Sequence, residues 1–80
     1  SHASKRRMGK LRVLSGRDTC KILEKHGFHE VRRRGSHVVM QRRTDAGTIT
    51  VPVPDHPELA IGTLLSIIRQ SGIARTEFES

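Results

Sequence analysis

The chain has 80 residues and a formal net charge of +7 at pH 7, because 15 Lys and Arg residues outnumber eight Asp and Glu residues. This length allows one small domain with a single core. The basic balance favours a polyanionic partner over a neutral metabolite, with nucleic acid as the first candidate and an acidic protein as the second. With two Phe and neither Trp nor Tyr, the core must be largely aliphatic, and stacking of bases on aromatic side chains is disfavoured as a binding mode.

Cysteine and apolar patterning exclude several further classes of protein. Cys20 is the only cysteine, which excludes an internal disulfide and a multi-cysteine zinc site and fits a reducing, cytoplasmic setting. No apolar run approaches the ~20 residues of a membrane span. No cluster of carboxylates or histidines has metal-ligand spacing. We therefore expect no membrane association, no bound metal and no cofactor.

The chain ends are expected to lie outside the fold. Ser1-His2-Ala3-Ser4 resembles the remnant of an expression tag, so residues 1–10 are expected to be disordered. A single domain is expected over residues 11–75, followed by a short polar tail over residues 76–80.

The first predicted element is a helix over residues 16–26. Ser15 precedes it as an N-cap, and Asp18 supplies the carboxylate of a capping box at the positive end of the helix. Gly27 is placed to end the helix. Phe28 follows that glycine and is expected to fold back into the core rather than bind a ligand.

Three strands are predicted next. Residues 29–34 and 37–43 flank Gly35-Ser36, a turn signal, and should form a hairpin. After a loop, residues 48–53 alternate apolar and polar side chains as a third strand. Pro52 has no amide hydrogen to donate, so this part of the third strand should lie at an edge of the sheet or beyond its paired region.

The last predicted element is a helix over residues 64–71, with Thr63 as its N-cap and Gly72 as its stop. Its apolar side chains should lie against the sheet. The element order is therefore α-β-β-β-α. It predicts an α+β fold in which a three-stranded antiparallel sheet carries two helices on one face.

The candidate functional residue is His37, which directly follows a basic run and a turn. An imidazole can exchange a proton near neutral pH, and guanidinium groups can stabilise charge on a phosphate. The candidates for nucleic-acid binding are Arg32, Arg34, Ser36, Arg42 and Arg43. Purely structural interpretations of these residues stay open, because charge runs are usually solvated surface and a serine beside a glycine is usually a turn residue. No second proton donor is evident.

Four segments in this order resemble the HicA-type mRNA interferase toxins, also called the YcfA-like family, over about residues 14–73. They are Leu23-Glu24-Lys25-His26-Gly27-Phe28, Gly35-Ser36-His37, Val51-Pro52-Val53-Pro54 and Gly62-Thr63-Leu64-Leu65-Ser66-Ile67-Ile68-Arg69-Gln70. The resemblance implies a double-stranded-RNA-binding-like fold, an endoribonuclease acting on mRNA, and a HicB-type antitoxin partner. It also implies that His37 is the catalytic residue. The sequence departs from the family pattern at Val38, where polar or aromatic residues are common.

Two other functions stay open from the residues alone. A non-catalytic RNA-binding module would use the same basic hairpin, with His37 contacting a phosphate or a 2′-hydroxyl. An interaction protein would use the basic surface to hold an acidic partner.

Overall fold

The computed structural model describes residues 10–79 and contains a helix, three antiparallel strands and a second helix, which confirms the predicted α+β fold. Residues 1–9, most of the segment expected to be disordered, lie outside the described part of the chain. The elements are α1 (Gly16–Lys25), β1 (His29–Arg34), β2 (His37–Thr44), β3 (Gly47–Pro54), α2 (Ile61–Ser71) and a short 3-10 helix (Arg75–Phe78).

The predicted capping box opens α1. The Asp18 amide donates to Ser15 Oγ at 3.0 Å, and the Ser15 amide faces Asp18 Oδ2 at 3.5 Å. The chain turns at Gly27, whose φ of +92° lies in the region that favours glycine. The Phe28 amide then donates to the Leu23 carbonyl at 3.1 Å. Because Phe28 is only 2% exposed, its predicted place in the core is confirmed.

The sheet has the order β1-β2-β3, with β2 in the centre. Strands β2 and β3 pair without interruption from His37 opposite Pro54 to Thr44 opposite Gly47. The register between β1 and β2 shifts between Glu30 and Arg32. As predicted, β3 is an edge strand, where the missing amide hydrogens of its prolines are tolerated.

The core lies between the two helices and one face of the sheet. Because side chains alternate along a strand, Val38 and Met40 of β2 point to the same side and are buried with side chains of both helices. Burying such a side chain contributes about 1.5–3 kcal/mol. The fully or almost fully buried apolar side chains are Leu23, Phe28, Met40, Val51, Val53, Leu64, Ile67 and Phe78.

The start of α2 differs from the sequence prediction. Thr63 does not cap the helix, which begins two residues earlier at Ile61, with Ala60 in the N-cap position and no side-chain cap. The preceding Leu59 is buried, and its amide donates to the Leu14 carbonyl at 2.8 Å, so tertiary contacts fix where the helix begins. The predicted stop is confirmed, since Gly72 is left-handed with φ +73°.

The C-terminal segment, expected from the sequence to be a polar tail, packs on the core instead. Residues 75–78 form the 3-10 helix, and Phe78 is completely buried. The Phe78 carbonyl accepts the Arg12 amide at 2.9 Å, and Leu11 forms a β-bridge with Glu79. A single aromatic residue among polar neighbours has no periodicity, so the sequence pattern did not indicate that it is a core residue.

Candidate functional site

His37 is held by backbone contacts on both sides while its side chain is exposed. It is the first residue of β2, and it pairs with Arg34 in β1 and with Pro54 in β3. The turn before it has only two residues, and Gly35 takes the left-handed conformation with φ +57° that this tight connection uses. The Ser36 carbonyl accepts the Asp55 amide at 2.6 Å, which ties the turn to the chain beyond β3. The position of His37 is therefore set by the sheet.

The sheet face opposite the helices carries a shallow depression of about 540 Å³ that includes His37. We call it the sheet depression. Its lining comes from all three strands, because every second residue of each strand points to this face. The lining residues are Arg32, Arg34, His37, Val39, Gln41, Thr50 and Pro52.

The three consecutive arginines of β1 divide between the two faces of the sheet. Arg34 lies opposite His37 and Arg32 opposite Val39, so both reach the sheet depression. Neither makes an ion pair with another residue between 10 and 79. These two cations are therefore available to an anionic ligand beside the imidazole.

Arg33 is engaged within the protein. Its guanidinium donates to Asp55 Oδ2 at 2.8 Å. This hydrogen bond lowers the pKa of the Asp55 carboxyl below its usual range and raises the pKa of Arg33. The pair joins β1 to the loop after β3, next to the Ser36–Asp55 backbone bond. Arg33 thus helps to hold together the two segments that flank His37, namely the end of β1 and the loop after β3.

The remaining two arginine candidates do not join His37. Arg42 lies on the helix side of the sheet, where its guanidinium carbon is 5.5 Å from the centroid of the Phe28 ring and its Nε is buried with no partner among the described residues. A Cβ at Gly27 would come within 3.1 Å of the Arg42 stem, so the two pack closely. Arg43 is on the open face but six residues along β2, roughly 20 Å from His37.

A second depression of about 390 Å³ begins at His37 and leads over the edge of the sheet to α2. We call it the α2 groove. It shares His37 and Pro52 with the sheet depression. Its lining residues are His37, Pro52, Pro54, Gly62, Thr63, Ser66, Ile67 and Gln70.

Sequence reasoning missed the polar part of this groove. Thr63, Ser66 and Gln70 recur at intervals of three and four residues, which places them on one side of a helix. That spacing was the available signal, but it also describes an ordinary solvated helix face. The Gln70 side-chain amide donates to Ser66 Oγ at 2.8 Å.

The other predicted features can be placed around these two depressions. Ser36 is exposed in the turn, and its carbonyl is used by Asp55. His29 and His56 line neither depression that contains His37. Within residues 10–79, no group of three His, Cys, Asp or Glu side chains lies close enough to hold a metal ion. None of the described helices has the length and apolar character needed to cross a membrane.

Comparison with known proteins identifies the family. Comparison with curated proteins gives no match. The family model described as the HicA toxin of bacterial toxin–antitoxin systems matches residues 16–73, a span that contains α1, the whole sheet and α2. Since this match covers well over half of the chain, the protein belongs to the HicA toxin family.

Proposed function

We propose that this toxin is a metal-independent endoribonuclease that cleaves mRNA and that His37 is its catalytic residue. The observation that carries the proposal is the placement of His37 opposite Arg34 and on the same exposed sheet face as Arg32. A base beside two cations that make no ion pair within residues 10–79 suits attack within a phosphodiester, where a proton must be removed and negative charge accumulates on the phosphate.

The chemistry follows from the substrate, because RNA carries its own nucleophile. The imidazole of His37 takes the proton of a 2′-hydroxyl, and that oxygen attacks the adjacent phosphorus. The bond from phosphorus to the 5′-oxygen breaks, and the leaving oxygen takes a proton from water. The products are a 2′,3′-cyclic phosphate and a 5′-hydroxyl.

The two depression-lining arginines have a separate role in this proposal. Arg32 and Arg34 bind the phosphate and stabilise the charge that grows on its oxygens during attack. Ser36 is a further candidate for a phosphate contact, since its hydroxyl lies in the turn directly before His37. Arg43, on the same face but far along β2, would contact a phosphate several nucleotides away. Arg42, on the helix side, would need RNA to reach the opposite face of the sheet.

The proposed partner is a HicB-type antitoxin that covers His37 and its arginines and so competes with mRNA in the cytoplasm. A chain of net charge +7 attracts an acidic protein over a long range, which raises the association rate. Burying Arg32 and Arg34 costs desolvation unless each meets a carboxylate. The antitoxin surface is therefore expected to present Asp and Glu at these positions.

The decisive experiment compares RNA with the same strand carrying a 2′-deoxy substitution at the cleavage site. The purified toxin should cut the RNA in the presence of a chelator, leave a 2′,3′-cyclic phosphate end, and fail to cut the substituted strand. Binding of both strands without cleavage of either would replace this proposal with a non-catalytic RNA-binding module. Cleavage lost in chelator and restored by one divalent ion would refute metal independence.

A further inference from the structure

We infer that the α2 groove is a base-recognition subsite, which receives an unpaired nucleobase next to the phosphate held at His37. The inference rests on the proposed function, since it takes RNA as the ligand. It adds the part of the molecule that would distinguish one nucleotide from another.

The two depressions adjoin each other. His37 and Pro52 line both the sheet depression and the α2 groove, so a strand whose phosphate meets the imidazole has the groove directly beside it. Each base of an RNA strand is attached to a sugar and projects away from the phosphates. A nucleotide anchored at His37 therefore places its base, or that of its neighbour, within reach of α2.

The two depressions differ in charge. Arg32 and Arg34 line the sheet depression, whereas the α2 groove is lined by hydroxyls, one amide and apolar side chains, and His37 is the only titratable residue among its described lining residues. Phosphate contacts position a strand but carry no sequence information. A neutral polar surface beside a cationic one thus suits a base beside its phosphate.

The groove has apolar ring faces on one side and an oriented amide on the other. Pro52 and Pro54 provide ring faces against which a flat base can lie, in a groove where no Phe, Tyr or Trp is among the described lining residues. On the opposite side, the Gln70 amide is oriented by its hydrogen bond to Ser66 Oγ at 2.8 Å. One N–H of Gln70 is used in this bond, which leaves its carbonyl oxygen and its second N–H for a ligand.

This free pair of donor and acceptor is the arrangement that reads a base edge. Glutamine recognises bases through two parallel hydrogen bonds, and single-stranded RNA exposes its base edges for such contacts. Holding the amide in place through Ser66 reduces the side-chain entropy lost on binding. Gln70 is therefore the specificity-determining residue of the proposed subsite.

The test measures binding of four 2′-fluoro RNA hexamers, each of a single base, to the full chain. These probes have no nucleophilic 2′-oxygen and cannot be cleaved by the proposed route. We expect the wild-type toxin to bind its preferred probe with roughly tenfold higher affinity than its weakest probe, because one good bidentate contact discriminates by about this factor. Gln70→Ala should reduce this ratio to within about twofold, and Ser66→Ala should reduce it in part.

Arg69→Ala is the matched control, because Arg69 precedes Gln70 on α2, is exposed and does not line the groove. It should lower all four affinities by a similar factor and leave their ratio unchanged. Equal affinities of the unchanged toxin for the four probes, or a ratio that survives Gln70→Ala in a folded protein, would overturn the inference. So would a failure to bind any of the four probes.

Cleavage of an all-RNA strand is measured separately and distinguishes the two proposals. A toxin that cleaves RNA but binds the four probes equally keeps its proposed activity and loses the base subsite. A toxin that shows a Gln70-dependent preference but never cleaves RNA keeps the subsite and loses the catalytic role of His37.

Discussion

Neighbouring residues of β2 enter opposite environments: Val38 is 5% exposed beneath the helices, whereas Val39 lines the open sheet depression. The same alternation continues across the sheet, so that one face carries the aliphatic core and the other carries His37 with Arg32 and Arg34. Because the period of a strand is two, the two faces are separated residue by residue. Substitutions on the open face should thus alter chemistry, and those on the helix face should alter stability.

The largest expected effect is that of His37→Ala. Loss of a positioned general base should reduce RNA cleavage by about 10²–10⁴-fold, while the melting temperature stays nearly unchanged because the side chain is exposed. Timed cleavage assays and thermal melts check both parts. His29→Ala is the control, since His29 is an exposed histidine of the same hairpin that does not line the depression. Equal activity of the two variants would end the catalytic role of His37.

The second prediction compares the two valines directly. Val38→Ala should lower the free energy of unfolding by about 2 kcal/mol, since it removes buried methyl groups and leaves a cavity. In a chain of this size that lowers the melting temperature by roughly 8–15 °C. Val39→Ala should cost well under half as much, because Val39 is only partly buried. Similar losses for both would show that the open face also contributes to folding.

The arginine run gives the third prediction. Arg32→Ala and Arg34→Ala should each weaken RNA binding and flatten its salt dependence by about 0.7 in the log–log slope, the contribution of one phosphate contact to a single strand. Arg33→Ala should change the slope less, since Arg33 faces the other side and donates to Asp55. Binding titrations at several salt concentrations distinguish them. An equal change for all three would mean that the run acts as diffuse charge.

The smallest effect concerns the Arg33–Asp55 ion pair. The Arg33 hydrogen bond lowers the pKa of Asp55 in the folded chain, so the pair stabilises the fold above the ordinary carboxyl range and loses this contribution as pH falls through the lowered pKa. Both groups are exposed, so the effect is small. Asp55→Asn should lower the melting temperature slightly at pH 7, and this difference should shrink as the pH falls through the lowered pKa of Asp55. A difference that grows in acid would contradict this sign.

The strands and α1 were predictable because their signals are local. The Ser15–Asp18 capping box, the Gly35-Ser36 turn and the alternation in β3 each act within a few residues, and the structure has all three. The period of a strand separates Arg33 from Arg32 and Arg34, but it does not indicate which face of the sheet is buried.

The parts that could not be predicted depend on contacts between distant segments. The start of α2 is fixed by the backbone bond between Leu59 and Leu14, and the burial of Phe78 depends on a bridge to the beginning of the domain. The α2 groove forms only when a helix packs beside the edge of the sheet. Nothing in the spacing of Gln70 along the chain indicates its distance from His37.

The prolines of β3 have a consequence for self-assembly. An exposed edge strand is a template on which another chain can add a strand and begin a growing sheet. Pro52 and Pro54 have no amide hydrogen, so an incoming strand would lack two hydrogen bonds at this edge. The same two residues lie beside His37 and line the α2 groove. Strand addition is therefore disfavoured at the β3 edge, directly beside the candidate site.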